Sequence, residues 1–204
     1  MGKLCWICRS RQADSGEHRF KASDIRERFP GLSQQTPVYM QRDGRNTNKR
    51  VGTAGADTLK FIQSVCRQCN NTGTQRYDRA WERLSRYLHA NWPRIARSDR
   101  LDLSKPFPGT TRDTALDVHL FFVKQFGCKI VESETNIDLT TFSNALITRT
   151  PIQRCAFKLR MRPTMLPQLL HMTRTSITST INIASWAALP GATESLQSVS
   201  RFTG

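Results

Sequence analysis

Two Cys-x-x-Cys motifs, far apart in the chain, constrain the fold of this sequence more than any other feature. The first spans Cys5 to Cys8 (CWIC) and the second spans Cys66 to Cys69 (CRQC). Two such turns can bring four thiolates to the corners of a tetrahedron around Zn²⁺. The sequence therefore predicts one structural zinc with these four cysteines as ligands, and the chain between the motifs must be looped out.

Other uses of the cysteines are less consistent with the rest of the sequence. The chain has six cysteines, which could form three disulfides, and a single C-x-x-C is also typical of a redox dithiol. The amino terminus, MGKLCWICRSRQ, has no apolar run of signal-peptide length, so we expect a cytoplasmic location, where paired cysteines more often bind metal. Cys128 and Cys155 stand alone among apolar residues and are expected in the core. No stretch has the roughly 20 apolar residues of a transmembrane helix, so we expect no membrane partner.

The chain carries a large excess of positive charge, which indicates a polyanionic partner. It has 31 Lys and Arg against 16 Asp and Glu in 204 residues, a net charge of +15, and its pI is near 10.4. Lys and Arg that neutralise phosphates release condensed counterions, so DNA is the expected partner, with RNA as an alternative. The excess is concentrated in residues 1–92 and 149–204, and the stretch 93–148 is neutral.

Hydrophobic periodicity predicts helices on both sides of a linker. Tyr77, Trp81, Leu84 and Leu88 predict an amphipathic helix over residues 72–90 that starts at a capping box. The Pro- and Gly-containing stretch that follows predicts a linker over residues 93–112.

Beyond the linker, a second helix and a strand are predicted. Leu116, Leu120 and Val123 form the stripe of a helix that begins at a capping box at Thr114 and ends at Gly127. Alternation over residues 155–162 predicts a strand with a basic outer face. We therefore expect a domain at 1–92, the linker, and an α/β region of unknown role at 113–204.

Three polar residues lie next to the cysteine motifs. Glu17 and His18 follow the first motif closely, and Asn70 follows Cys69 directly. Taken alone, a Glu-His dipeptide is usually on the surface and an Asn after Cys is usually a helix cap. A zinc that joins the two motifs would draw all three into one region.

This constellation resembles the HNH endonucleases, and within them the branch of endonuclease VII from phage. In that family, C-x-x-C pairs bind zinc, an acidic-His dipeptide lies on a hairpin, and a polar residue after the last Cys opens a helix. The resemblance covers about residues 5–90. It implies an amino-terminal ββα-metal (His-Me finger) domain held by zinc, in a bacterial or phage-type context. Together with the small α/β region predicted after the linker, the expected fold class is α+β.

The resemblance also implies a reaction, the metal-dependent hydrolysis of phosphodiester bonds in DNA. Glu17 and Asn70 offer hard oxygen ligands of the sort that Mg²⁺ or Mn²⁺ accepts. His18, with an ordinary pKa of about 6.5, can take the proton of the attacking water. The zinc would be structural, because four protein ligands leave no open position for water.

Two groups of basic residues are the expected contacts to DNA. Arg76, Arg79, Arg83 and Arg86 form a row along the first predicted helix, although Asp78 and Glu82 are near enough in sequence to neutralise part of it. The stretch from Gln41 to Thr58 predicts a basic loop that carries Arg45, Lys49 and Arg50. The alternatives to a nuclease are a non-catalytic zinc-containing nucleic-acid-binding module and a zinc-stabilised protein-interaction adaptor.

Overall fold

The protein is α+β. Its helices pack around the cysteine motifs, and a separate pair of strands forms a small sheet. A computed structural model describes residues 2–42, 45–98 and 101–152, and within these the side chains of residues 41, 42 and 45–48 are not described. The strand predicted at 155–162 and Cys155 lie outside the described residues. No helix in the described part combines the length and apolar character needed to span a membrane.

The first Cys-x-x-Cys motif lies in a tight turn closed by backbone hydrogen bonds. The Arg9 N–H donates to the Cys5 carbonyl and the Cys5 N–H donates to the Arg11 carbonyl, both at 2.8 Å. The Trp6 N–H donates to the Ser64 carbonyl at 3.1 Å. The turn is therefore attached to the segment that leads into the second motif.

Residues 15–19 pair with residues 59–65 in an irregular antiparallel arrangement. The backbone hydrogen bonds between the segments include Ser15 N–H to Val65 O at 2.9 Å, Phe61 N–H to Glu17 O at 2.8 Å, and Arg19 N–H to Leu59 O at 2.7 Å. Gly16 permits this close approach, because a Cβ there would lie 2.7 Å from the Phe61 carbonyl oxygen. The pairing loops out residues 20–58, as the distance between the motifs predicted.

The looped-out segment has secondary structure of its own. It contains helix α1 (Ala22–Arg28), strands β1 (Val38–Arg42) and β2 (Arg45–Val51), which pair with each other, and a 3₁₀ turn at Asp57–Leu59. The predicted basic loop is thus largely a β-strand pair. Met1–Pro37 and Val51–Ile152 form one compact unit, and Val38–Arg50 belongs to a second unit of the chain.

Helix α2 (Gln75–Ala90) contains the predicted amphipathic stripe. Tyr77, Leu84 and Leu88 are buried, which confirms the core-facing side of the helix. The predicted start is wrong, since a π-helical turn at Gln68–Gly73 precedes the helix and no capping box forms. Thr74, the residue before the helix, instead donates its hydroxyl to the Cys69 carbonyl at 2.9 Å.

Helix α3 (Trp92–Ile95) and the residues after it pack on α2. Phe107 is fully buried against Leu84 and Leu88, and these are joined by partly buried apolar side chains: Trp81, Ile95, Leu101, Leu103 and Val118. The stretch predicted as a linker therefore contributes to a hydrophobic core.

Helix α4 (Thr111–Glu132) is longer at both ends than its predicted counterpart. It passes through Gly127, so the predicted C-terminal cap is wrong, and no side-chain cap forms at its start. The Trp6 ring instead packs directly against Gly127. A Cβ atom at this position would lie only 2.3 Å from the ring atom Cη2. The first cysteine motif is thereby packed against α4. Cys128 is fully buried, as expected.

Helices α2 and α4 pack along each other, and α5 (Thr140–Thr148) packs against α4. Trp81 stacks on Phe121 with a centroid separation of 5.3 Å and meets Phe122 edge-on at 5.1 Å. The Tyr77 hydroxyl donates to the Leu146 carbonyl at 2.8 Å. The aromatic side chains of α2 thus belong to the core, as aromatic pairs of this geometry commonly do.

Candidate functional site

The four cysteines of the two motifs come together as predicted. Their Sγ atoms all lie within 4.8 Å of one another, and Cys8 Sγ is 3.8 Å from Cys66 Sγ. Tetrahedral zinc with Zn–S bonds of about 2.3 Å separates its sulfurs by about 3.8 Å. The Cys69 N–H points at the Cys66 sulfur at 3.4 Å, as in a metal-binding turn. The cluster can hold a metal ion such as zinc.

The thiols of the cluster differ in pKa. Burial raises the pKa of Cys5 and of Cys69. Partial burial also acts on Cys8, but hydrogen bonds from Ser10 and Arg11 outweigh it and lower the pKa of Cys8 to about 5. A divalent metal bound by the cluster would favour the thiolate forms, because cysteine binds metal as the thiolate.

A polar cleft of about 350 Å³ brings together the three polar residues that the sequence singled out. Glu17, His18 and Asn70 all line it, together with Lys21, Asn71, Gln75, Asp78, Arg79 and Glu82. The backbone pairing of residues 15–19 with 59–65 supplies one wall and the start of α2 supplies another. Because Asn70 directly follows Cys69, the thiol cluster fixes the position of this cleft.

Glu17 is not an open carboxylate, since both of its oxygens have protein partners. Oε1 accepts the His18 N–H at 3.0 Å, and Oε2 lies 2.6 Å from Lys124 Nζ. Glu17 is only 3% exposed. Its side chain is therefore held in one orientation at the base of the cleft.

Lys124 extends the cluster to a second carboxylate. Its fully buried ammonium also lies 2.7 Å from Asp78 Oδ1, which in turn is 3.5 Å from Lys21 Nζ. Burial alone would lower the pKa of Lys124, but Glu17 and Asp78 outweigh it and raise the pKa above its usual value. Lys124 is therefore a buried cation shared by two carboxylates.

One ring nitrogen of His18, Nε2, lacks a hydrogen-bond partner in the described part of the chain. This nitrogen is buried. Burial lowers the pKa of His18, against an opposite effect of Glu17, so the imidazole is neutral at pH 7. The backbone is held from behind by Gln125, whose Nε2 donates to the His18 carbonyl at 3.0 Å. A neutral imidazole can take up a proton, as a general base must.

Asn70 is oriented by a neighbour on the paired segment. Its Nδ2 donates to Ser15 Oγ at 2.9 Å, which leaves the carbonyl oxygen as the atom that a cation or a phosphate-bound water would meet. Glu17 and Asn70 supply hard oxygen donors, the kind that Mg²⁺ and Mn²⁺ prefer. Of these two donors, the Glu17 carboxylate is already paired with Lys124.

The arginines of α2 have separate environments. Arg79 lines the cleft, Arg83 lies over the Phe107 ring at 5.6 Å, and Arg86 donates to the Glu82 carbonyl at 3.3 Å. Arg76 pairs with Asp117 at 3.1 Å. All four are exposed. The predicted partners of the row are not the observed ones, because Asp78 and Glu82 pair with lysines instead.

The basic residues of the looped-out segment are placed on its second strand. Arg45, Lys49 and Arg50 all lie on β2, and Lys49 and Arg50 are exposed. The side chain of Arg45 lies outside the described residues.

Several site residues were not predicted from the sequence, including Lys21, Asn71 and Gln75 of the cleft lining. Lys124 and Gln125 come from α4, beyond the region of resemblance, and Asp78 was considered only as a partner for arginines. One signal was available, since Lys124 falls one turn after Leu120 on the apolar stripe of α4. A charged residue at a core position is informative, because Lys is almost never fully buried unless paired.

Comparison of the chain with protein-family models, with curated proteins and with solved structures found no match.

Proposed function

We propose that this protein is a metal-dependent endonuclease of the HNH type that hydrolyses phosphodiester bonds in DNA. The observation that carries the proposal is the convergence of His18, Glu17 and Asn70 on one cleft beside four clustered thiols. The net charge of +15 supports a phosphate-rich substrate. Zinc in the thiol cluster would be structural and would hold the two halves of the cleft together.

In this proposal the residues of the cleft have distinct roles. His18 accepts the proton of the attacking water, because its imidazole is neutral and its Nε2 is unpaired within the described part of the chain. Mg²⁺ or Mn²⁺, held by Glu17 and the Asn70 carbonyl oxygen, would neutralise charge that develops on the phosphate. Arg79 contacts a phosphate of the bound strand. Lys49 and Arg50, in the second unit of the chain, are proposed separately as nucleic-acid contacts.

A second candidate function is a non-catalytic nucleic-acid-binding module. The observation that favours it is the Lys124 ammonium, 2.6 Å from Glu17 Oε2, because an ion pair there already satisfies the carboxylate that a catalytic metal would use. The two candidates share their partner and differ in whether the phosphate backbone is cut.

Supercoiled plasmid incubated with the zinc-loaded protein and Mg²⁺ or Mn²⁺ tests the proposal. We expect nicked or linear product that depends on the added metal and disappears with EDTA. Binding without cleavage, on duplex, branched and single-stranded DNA and on RNA, would favour the binding module instead. A protein that neither cuts nor binds nucleic acid would contradict both.

A further inference from the structure

The acidic part of the cleft is neutralised without any metal. Its lining contains three carboxylates, those of Glu17, Asp78 and Glu82, and two cations, those of Lys21 and Arg79. Lys124 supplies a third cation behind the lining. With neutral His18, the formal charges sum to zero.

Lys124 is the central member of this set because of where its ammonium lies. Nζ is 2.6 Å from Glu17 Oε2 and 2.7 Å from Asp78 Oδ1, and the side chain is fully enclosed. Lys21 is more loosely placed, at 3.5 Å from Asp78 Oδ1 and 3.7 Å from Glu82 Oε1. A cation between two buried carboxylates occupies the place that a divalent ion would otherwise take.

We propose that Lys124 is a positioning residue that occupies the Glu17–Asp78 carboxylate pair and thereby keeps the affinity of the cleft for divalent cations low. The inference rests on the proposed function in taking Glu17 to face the catalytic cation. It makes the binding of that cation a competition with an internal ammonium. Replacing Lys124 with an uncharged residue should therefore strengthen the binding of a divalent cation to the cleft.

The test measures Mn²⁺ binding to the zinc-loaded protein in the absence of nucleic acid, by titration calorimetry or by the electron paramagnetic resonance of free Mn²⁺. Lys124→Met removes the ammonium that Glu17 and Asp78 share and leaves Asp78 only its longer contact with Lys21, at 3.5 Å. We therefore expect Mn²⁺ to bind at least about tenfold more tightly than in the parent. Lys124→Arg keeps the charge and should bind Mn²⁺ as the parent does. Adding Asp78→Asn to Lys124→Met should return the affinity to near the parent value.

The matched control is Lys129→Met, on the same helix. Lys129 is exposed and pairs with Glu132 at 3.6 Å, so its loss removes one positive charge away from the cleft. A Lys124→Met affinity equal to that of Lys129→Met would overturn the proposal, whether or not the protein cuts DNA. A failure to cut DNA with the expected Mn²⁺ affinities would instead leave this proposal standing and count against the nuclease.

Folding of the Lys124→Met variant is checked by circular dichroism and by its zinc content. If it folds only when Mn²⁺ is present, the ion has replaced the ammonium, which supports the proposal. If it does not fold with or without Mn²⁺, Lys124→Gln takes its place, because an amide can donate to one carboxylate without carrying charge. Unchanged Mn²⁺ affinity in Lys124→Gln would overturn the proposal in that case.

Discussion

At the scale of single residues, His18 is the side chain on which the proposed chemistry depends. It lies in the cleft, and the proposal assigns it to proton transfer rather than to zinc or phosphate binding, so its loss should affect proton transfer alone. We expect His18→Ala to lower the cleavage rate by about 10²- to 10⁴-fold with zinc content and DNA affinity nearly unchanged. His89→Ala, an exposed histidine at the end of α2, is the control and should cut at the parent rate.

The environment of His18 also sets the expected pH dependence. Burial lowers its pKa, so the imidazole stays neutral to a pH below the ordinary value of about 6.5. Protonated His18 cannot accept a proton, and the rate should therefore fall only as the pH drops through that lowered pKa. A profile of kcat/KM against pH, taken at constant ionic strength, should place the acid limb below pH 6.5. A midpoint above 6.5 would assign the limb to another group.

The absence of a side chain at Gly127 lets the first cysteine motif pack closely against α4 through Trp6. A Cβ at this position would lie 2.3 Å from Trp6 Cη2, and the ring has little room to move because Trp6 is only 7% exposed. Alanine favours a helix over glycine by up to about 1 kcal/mol, but overpacking costs about 1–3 kcal/mol. We expect Gly127→Ala to lower the free energy of unfolding, measured with urea.

A double-mutant cycle identifies the cause of that loss. In a Trp6→Leu background the ring is absent, so Gly127→Ala should be neutral or stabilising there. An equal loss in both backgrounds would show that the contact with Trp6 is not responsible.

At the scale of elements, α2 presents cationic residues to solvent and apolar residues to the core. If Arg79 and Arg83 each neutralise one phosphate, replacing both with glutamine should reduce the slope of log K against log salt by about 2. The control removes two charges from α4 in the variant Arg112→Gln/Lys129→Gln, which should leave the slope unchanged. Equal slopes for both pairs of substitutions would mean that α2 has no special part in binding.

The elements also show what the sequence could and could not predict. The periodicity of α2 was sufficient to predict its buried face, because Tyr77, Leu84 and Leu88 repeat at helical spacing. Its start was not predictable, since the turn of the second cysteine motif extends into a π-helical segment and Thr74 donates a hydrogen bond back to the Cys69 carbonyl. Gly127 was wrongly predicted to end the helix. From the local sequence alone, a glycine that makes room for a distant side chain such as Trp6 cannot be distinguished from one that caps a helix.

At the scale of the whole molecule, the site draws on parts of the chain that are distant in sequence. The spacing of the cysteines predicted that the two motifs meet, because two Cys-x-x-Cys turns can place four thiolates at the corners of a tetrahedron around one zinc. It could not predict that α4 supplies Lys124 to Glu17 and Gln125 to the His18 carbonyl. Those contacts depend on how α4 packs against α2 and Trp6, which no local pattern encodes.

This arrangement makes the thiol cluster a stability element for the entire cleft. Cys5 and Cys8 carry the turn that packs on α4, and Cys66 and Cys69 lead directly into Asn70 and α2. Zinc bound by small domains contributes on the order of 10 kcal/mol to folding. We therefore expect protein purified without chelators to contain one zinc per chain, and expect Cys66→Ser to lose the zinc and most of its cooperative thermal unfolding.

The control for zinc loss is Cys128→Ala, which changes a fully buried cysteine outside the cluster. This variant should keep one zinc per chain and unfold cooperatively, with only the small loss of stability that follows from a shortened core side chain. Zinc content is measured by elemental analysis, and unfolding by circular dichroism with and without a chelator. Zinc-free parent protein, or a Cys66→Ser variant as stable as the parent, would show that the four thiols meet without a metal. The cleft would then have to be held by the packing of Trp6 on Gly127 and by the backbone pairing of residues 15–19 with 59–65.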